Sequence, residues 1–107
     1  MGDSEPTIST HLLDTAEGHP AQGVEVTLQR ATEAGDVVVG RSITDADGRV
    51  RRLLNGPLEE GFYRIEFWIA GPFFHVAQIT FYVADTSRSY HVPLIVAPYS
   101  LATYRGS

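Results

Sequence analysis

Apolar and polar side chains alternate along most of this chain, and the alternation predicts short β-strands. Residues 24–30 show the pattern most clearly, because Val24, Val26 and Leu28 are separated by polar side chains. A period of two is the pattern of a strand that has one face in a core. The same period predicts further strands at residues 8–15, 37–44, 50–54, 63–69, 73–83, 90–96 and 100–107.

Turn-forming residues separate these runs. The clearest turn is Asp45-Ala46-Asp47-Gly48, where the glycine supplies the positive φ that tight turns require. Residues 57–60 can hold one helical turn, and no segment predicts a long helix. About eight short strands at intervals of roughly ten residues indicate an all-β antiparallel sandwich. We expect one domain over residues 8–107, preceded by a mobile arm at 1–7.

The end of the chain consists of two alternating runs around a turn at 97–99. In the first run Tyr90 belongs to the core face and His91 to the opposite one. In the second run Tyr104 shares a face with Ala102. A chain terminus usually frays, so an ordered terminus of this polar, glycine-containing kind needs contacts elsewhere in the protein.

Composition narrows the possible partners. The 107 residues carry a formal net charge of −5 and no cysteine. An acidic chain without a stripe of Lys and Arg argues against a nucleic-acid partner. The lack of cysteine excludes disulfides, a thiol catalyst and a cysteine-based zinc site. No apolar run reaches membrane-spanning length, so we expect a soluble, cytoplasmic protein without a membrane partner.

The four histidines fall into different environments. His11 and His91 each lie on the polar face of a predicted strand, whereas a structural core histidine should share the apolar face. His75 does share an apolar face, so we expect it to be buried and hydrogen-bonded. His19 lies in a turn and is expected at the surface. The spacing of these residues matches no metal-binding signature.

Arg49 follows the Asp-Gly turn, where it would ordinarily be solvated or paired with Asp45 or Asp47. The chain has no nucleophile elbow of a serine hydrolase, no glycine-rich phosphate loop and no zinc-binding helix motif. The residue pattern alone therefore predicts a sandwich with a polar face that holds His11 and His91. It does not predict a reaction.

Four segments carry a more specific signal. They are STHLLDT at 9–15, DGR at 47–49, YHVPL at 90–94 and the terminal YRGS at 104–107. Together they resemble the 5-hydroxyisourate hydrolase family, the transthyretin-related enzymes of urate degradation. The resemblance covers most of the chain from Ile8 onward, and its last two segments are the specific ones.

The resemblance implies a two-sheet sandwich of the transthyretin (prealbumin-like) type. It also implies a homotetramer, a dimer of dimers with its sites in the channel between the dimers. Catalytic residues would be His11, Arg49, His91 and Ser107. Substrate-binding residues would be His11, Arg49, Tyr104, Arg105 and Gly106. The implied substrate is a purine-derived small molecule, and neither a metal nor a cofactor is required.

The implied reaction is the hydrolytic opening of the six-membered ring of 5-hydroxyisourate, which yields 2-oxo-4-hydroxy-4-carboxy-5-ureidoimidazoline. His11 or His91 would act as the general base, because an imidazole titrates near physiological pH. Arg49 would bind the carbonyl groups and the developing negative charge. Tyr104 would shape the pocket, and Ser107 would position the substrate or water.

The chain also departs from this family. A short helix that family members carry between the fifth and sixth strands is expected to be missing, since Trp68–Pro72 runs almost directly into Phe73. Ala102 faces the implied channel, where it can alter substrate fit. Transthyretin itself, a hormone carrier, lacks the two histidines and the YRGS ending, which favours an enzyme. The alternatives are a non-catalytic carrier of a small planar ligand and a structural or interaction module.

Overall fold

The computed structural model describes residues 5–106, and within this range the chain forms ten strands and no helix. The strands are β1 (Ile8–Asp14), β2 (His19–Pro20), β3 (Glu25–Thr32), β4 (Gly35–Ile43), β5 (Arg49–Val50), β6 (Gly61–Trp68), β7 (Ala77–Val83), β8 (Tyr90–His91), β9 (Leu94–Ala97) and β10 (Ser100–Thr103). The long strands coincide with the alternating runs of the sequence. Three of the others, β2, β5 and β8, are only two residues long.

The strands form two sheets. The first has the order β10-β9-β1-β2, with β5 and β8 also paired to β1, and the second has the order β4-β3-β6-β7. The predicted β-sandwich is confirmed. Most pairs are antiparallel, but β1 runs parallel to β8 and β9. The chain reaches β8 only after it has passed through the second sheet, which is the kind of long connection that parallel neighbours need.

The core lies between the sheets and consists of the predicted inward faces. Its buried apolar residues include Ile8, Leu12, Val26, Leu28, Tyr63, Ile65, Phe67, Val83, Tyr90 and Leu94. Each such side chain contributes about 1.5–3 kcal/mol by leaving water. These residues fix the inner face of β1 and β8. The residues that alternate with them along each strand must therefore face outward.

Residues 69–76, between β6 and β7, form a tight loop without a helix, as predicted. Ala70 has a φ of 52°, and its N–H donates to the carbonyl oxygen of His75 at 3.0 Å. The prediction that His75 is buried is wrong: its side chain is exposed. The loop uses these residues for its own hydrogen bonds, so β7 begins only at Ala77.

Residues 57–60 form no helical turn. The N–H of Glu59 donates to the hydroxyl of Tyr63 at 3.0 Å, so a side chain takes the place of a helical carbonyl.

The predicted arm at 1–7 falls partly outside the described residues, which begin at Glu5. Thr7 is buried, and its N–H donates to Ser89 Oγ at 3.0 Å. The side chain of Arg52 donates to the carbonyl oxygen of Glu5. Residues 5–7 therefore contact the sandwich, and the mobility of the arm stays a prediction.

Candidate active site

β1 provides the central row of the site. Thr10 and Leu12 are buried on its inner face, so Ser9, His11 and Leu13 lie on the outer face of the first sheet. Ser9 and His11 are half-buried, whereas Leu13 is exposed. The predicted location of His11 outside the core is therefore confirmed.

β5 brings Arg49 opposite His11, because the two residues are direct partners in the β1–β5 pairing. Directly opposite residues share a face of a sheet. The turn before β5 fixes this register: the carboxylate of Asp45 accepts the N–H groups of Asp47 at 2.9 Å and Arg49 at 3.0 Å. The hydrogen bond from the Arg49 backbone, with a smaller one from Asp47, lowers the pKa of Asp45 below its ordinary value, although some loss of hydration at this exposed carboxylate opposes the shift.

Gly48 allows this turn to dock on β1. Its φ is 75°, and its carbonyl oxygen accepts the N–H of Leu12 at 2.8 Å. A Cβ at this position would lie 2.4 Å from the carbonyl oxygen of Leu12. Only glycine fits here without displacing the turn, so Gly48 holds Arg49 at the level of His11.

β8 places His91 beside Ser9 on the same outer face. The Oγ of Ser9 lies 2.8 Å from Nδ1 of His91. Burial lowers the pKa of His91 below its usual 6.5, and the charges of Arg49 and His11 lower it further. The imidazole is therefore biased toward its neutral form, in which one ring nitrogen can accept a proton.

The C-terminal segment after β10 covers His91. The N–H of Gly106 donates to the carbonyl oxygen of His91 at 2.8 Å. A Cβ on Gly106 would lie 2.4 Å from Cδ2 of His91, so the backbone passes directly over the imidazole ring. The guanidinium carbon of Arg105 lies 4.6 Å from the centre of the Tyr90 ring. Ser107, which the sequence also predicted in the site, lies outside the described residues.

His91 stands between two open cavities. One of about 210 Å³ is lined by Ser9, Thr10, Arg49, Val50, Arg51 and His91. The other, of about 270 Å³, lies toward the C-terminal segment, and its lining includes His91, Tyr104 and Arg105. These two cavities bring together most of the predicted site residues that the structure describes.

Two residues of this face were not identified from the sequence. Ser9 lies two positions before His11 on a strand, so the period of two already places it on the same face. Arg51 lies two positions after Arg49, but nothing in the residue pattern favours a cavity over solvent for it. Among residues 5–106, no three His, Asp or Glu side chains converge as a metal-binding group.

A larger depression of about 500 Å³ lies at one end of the sandwich. Its lining includes Leu12, Asp14, His19, Ile69 and Val96, and it shares no residue with the predicted site. The two smaller cavities combine imidazole, guanidinium and tyrosine side chains with a hydroxyl. They are therefore better suited to chemistry on a small polar molecule.

The described chain contains no helix long and apolar enough to cross a membrane.

Comparisons with known proteins agree with this fold. The sequence profile of the HIUase/transthyretin family matches residues 8–106. A 5-hydroxyisourate hydrolase from Deinococcus radiodurans is 42% identical, over 95% of this chain and 97% of its own length. The structure of Klebsiella pneumoniae 5-hydroxyisourate hydrolase has a TM-score of 0.83 at 34% identity and covers 95% of this chain and 99% of its own. Sea bream transthyretin in complex with thyroxine has a TM-score of 0.82 at 27% identity, covering 92% of each chain. The chain belongs to the HIUase/transthyretin family.

Proposed function

We propose that this protein hydrolyses 5-hydroxyisourate. The observation that carries the proposal is the placement of His11, Arg49 and His91 on one outer sheet face, with the backbone of Gly106 packed over the His91 ring. A carrier needs only shape and apolar contact to hold a planar ligand. Two imidazoles beside a guanidinium provide what a hydrolytic ring opening requires.

In the proposed mechanism His91 is the general base, because its lowered pKa leaves it neutral. Its free ring nitrogen takes a proton from water, and the water oxygen forms a bond to a ring carbonyl carbon. The negative charge that develops on the carbonyl oxygen is stabilised by Arg49. The carbon–nitrogen bond then breaks, and the leaving nitrogen takes a proton from an imidazole. The ring is opened with one water consumed, to 2-oxo-4-hydroxy-4-carboxy-5-ureidoimidazoline.

The remaining site residues bind and enclose the substrate in this proposal. Arg49 and His11 contact its polar edge. Tyr104 and Arg105 line the neighbouring cavity, and Gly106 leaves room for His91. Ser107 would position substrate or water.

We further propose that the protein is a homotetramer, a dimer of dimers, with this face lining the channel between dimers. The support is that Leu13, on the face that carries His11, is 38% exposed, and that Tyr104, which follows β10 and lines the cavity next to His91, is 57% exposed. Apolar and aromatic side chains left open beside a polar site are typical of an interface. A cytoplasmic location stays a prediction from the sequence, which cell fractionation tests.

The test is the ultraviolet absorbance of fresh 5-hydroxyisourate with and without the protein. We expect the decay to be accelerated, and the acceleration to be lost in His11→Asn and in His91→Asn while both variants stay folded. His19→Asn is the matched control, because His19 is exposed and lies outside the site. No acceleration by the wild-type protein contradicts the proposal, and tight binding without acceleration identifies a carrier instead.

A further inference from the structure

We infer that Ser9 is a positioning residue, which holds His91 with its proton on Nδ1 and the lone pair of Nε2 free for the reaction. This inference rests on the proposed function, in which His91 is the general base. Ser9 contacts the base and not the reacting atoms, so it acts through His91.

The backbone brings the two side chains together. Ser9 and His91 are direct partners in the β1–β8 pairing, and the N–H of Val92 donates to the carbonyl oxygen of Ser9 at 2.9 Å. The side-chain contact of 2.8 Å between Oγ and Nδ1 is therefore set by the sheet register. Both residues are half-buried, which strengthens the hydrogen bond relative to one in water.

The C-terminal segment holds the ring from another side. The backbone of Gly106 passes over Cδ2 and Cγ of His91, and its N–H is bonded to the His91 carbonyl oxygen. A flip of the ring would exchange the positions of Nδ1 and Cδ2, and the hydrogen bond to Ser9 would be lost. Ser9 and Gly106 together fix which nitrogen faces away from the strand.

Proton bookkeeping selects the direction of the Ser9 hydrogen bond. A hydroxyl can donate or accept, whereas both nitrogens of an imidazolium are donors. Once His91 has taken a proton, Ser9 can only accept from Nδ1–H. If Ser9 also accepts in the neutral state, the hydrogen bond persists through the cycle and Nε2 is the basic nitrogen. A neutral acceptor suits this place, because the charged or titratable groups that face His91 from other elements are His11 on β1, Arg49 and Arg51 around β5, Tyr82 on β7, and Tyr104 and Arg105 after β10.

The first test is the kinetics of Ser9→Ala with 5-hydroxyisourate. We expect kcat to fall on the order of 10- to 100-fold with little change in KM, because the base is misoriented and shifted toward the wrong tautomer. The acid limb of the kcat profile should move to lower pH, because the imidazolium loses an acceptor. Ser9→Asp should move that limb to higher pH, and Ser9→Thr should restore kcat. Thr15→Ala, at an exposed turn residue just after the same strand, is the control and should change none of these values.

The second test does not depend on activity. Nitrogen-15 NMR of histidine-labelled protein, with His91 assigned from the His91→Asn variant, should show a protonated Nδ1 and an unprotonated Nε2 in the neutral wild-type protein. In Ser9→Ala the signals should shift toward the opposite tautomer. An unchanged tautomer and an unchanged pH profile in Ser9→Ala overturn the inference. If the alanine variant is unfolded, Ser9→Cys replaces it in the comparison with the wild type. Cysteine is close to serine in volume, but its sulfur is a weaker hydrogen-bond acceptor.

The two proposals fail in different ways. A wild-type protein that shows the Nδ1–H tautomer but does not accelerate decay of the substrate contradicts the proposed function and leaves the role of Ser9 on His91 intact. A wild-type protein that is active but carries the proton of neutral His91 on Nε2 contradicts the role of Ser9.

Discussion

Arg49 lies on the same sheet face as His11 because a turn of five residues, Asp45 to Arg49, docks on β1. The glycine at position 48 allows the approach, and the Asp45 carboxylate holds the backbone of Arg49. A planar guanidinium can make two parallel hydrogen bonds to carbonyl oxygens of a flat ring, which an ammonium cannot. The identity of this cation should therefore matter beyond its charge.

We predict that Arg49→Lys lowers kcat/KM by about 10- to 100-fold, which corresponds to the loss of about 1.5–3 kcal/mol for a hydrogen bond to a charged group. The measurement is the initial rate of 5-hydroxyisourate decay. Arg41→Lys is the control, because Arg41 is an exposed partner of Glu25 on the second sheet. Full activity of Arg49→Lys would make Arg49 a solvated turn residue.

His91 should make both activity and stability depend on pH. Folding lowers its pKa below 6.5, first by burial and then by Arg49 and His11. The folded protein therefore binds fewer protons than the unfolded chain between the folded value and 6.5, so the free energy of unfolding rises with pH in that window. The stabilisation is present above pH 6.5 and is lost as the pH falls through the folded value.

We predict that urea unfolding, measured on both sides of pH 6.5, shows this rise in the wild-type protein and a smaller rise in His91→Asn. The acid limb of the rate profile should lie below pH 6.5 for the same reason. His19→Asn should keep the wild-type slope. Equal slopes in the wild-type protein and His91→Asn would show that His91 titrates alike in the folded and unfolded states.

At the scale of elements, the segment after β10 completes the site without building the core, whereas Leu101 of β10 packs against the core. Ala102 and Tyr104 are exposed, and Gly106 is only half-buried, so little apolar area depends on them. The segment nevertheless reaches His91 through the Gly106 N–H. Its contribution should appear in activity and not in stability.

We predict that deletion of residues 104–107 abolishes hydrolysis, while circular dichroism and the unfolding transition stay close to those of the full chain. The truncated protein should also bind bulkier planar ligands, because Tyr104 lines the cavity next to His91. Retained hydrolysis would remove the tetrapeptide from the active site. An unfolded product would make its role structural.

A single substitution tests the same contact more finely. Gly106→Ala places a Cβ where the His91 ring lies, so we predict a kcat loss on the order of 100-fold from displacement of the base. Gly35→Ala is the control, since a Cβ at Gly35 meets no atom within 4 Å. That variant carries a strained φ and should lose stability without losing activity. Equal kcat values for Gly106→Ala and the wild type would show that the ring tolerates the crowding.

At the scale of the whole molecule, the outer face of the first sheet is the surface on which we expect copies of the chain to associate. Leu13 is exposed in the same row as Ser9 and His11, and the β1–β9–β10 pairing places Ile95 and Ala102 beside it. A polar site surrounded by such residues is partly open to water in a single subunit. Packing a second copy against this face would enclose the site.

We predict that the wild-type protein is a tetramer in solution and that Leu13→Asp dissociates it into dimers, because a carboxylate would be buried at the interface. Size-exclusion chromatography with light scattering measures the mass. Val38→Asp is the control, because Val38 is 54% exposed on the second sheet and should leave the tetramer intact. A tetrameric Leu13→Asp variant would locate the interface elsewhere.

The sequence by itself determined the long strands and their faces, but not the two-residue strand β2. Alternation is a local property, so Ile8, Leu12, Tyr90 and Leu94 could be predicted inside and His11 and His91 outside. The sequence also predicted the turn at Gly48, because the need for a positive φ is a local property as well.

Only the tertiary structure decided which outward-facing residues meet. Ser9 and His91 are 82 positions apart, and a period of two gives no information about register between distant strands. The same limit explains the error at His75: the residue fits the apolar face of the alternation, but the hydrogen bonds of its loop delay the start of β7 to Ala77. The contacts of His91 with Ser9 and Gly106 depend on which strands pair and in what register. That pairing is set by the packing of the core as a whole.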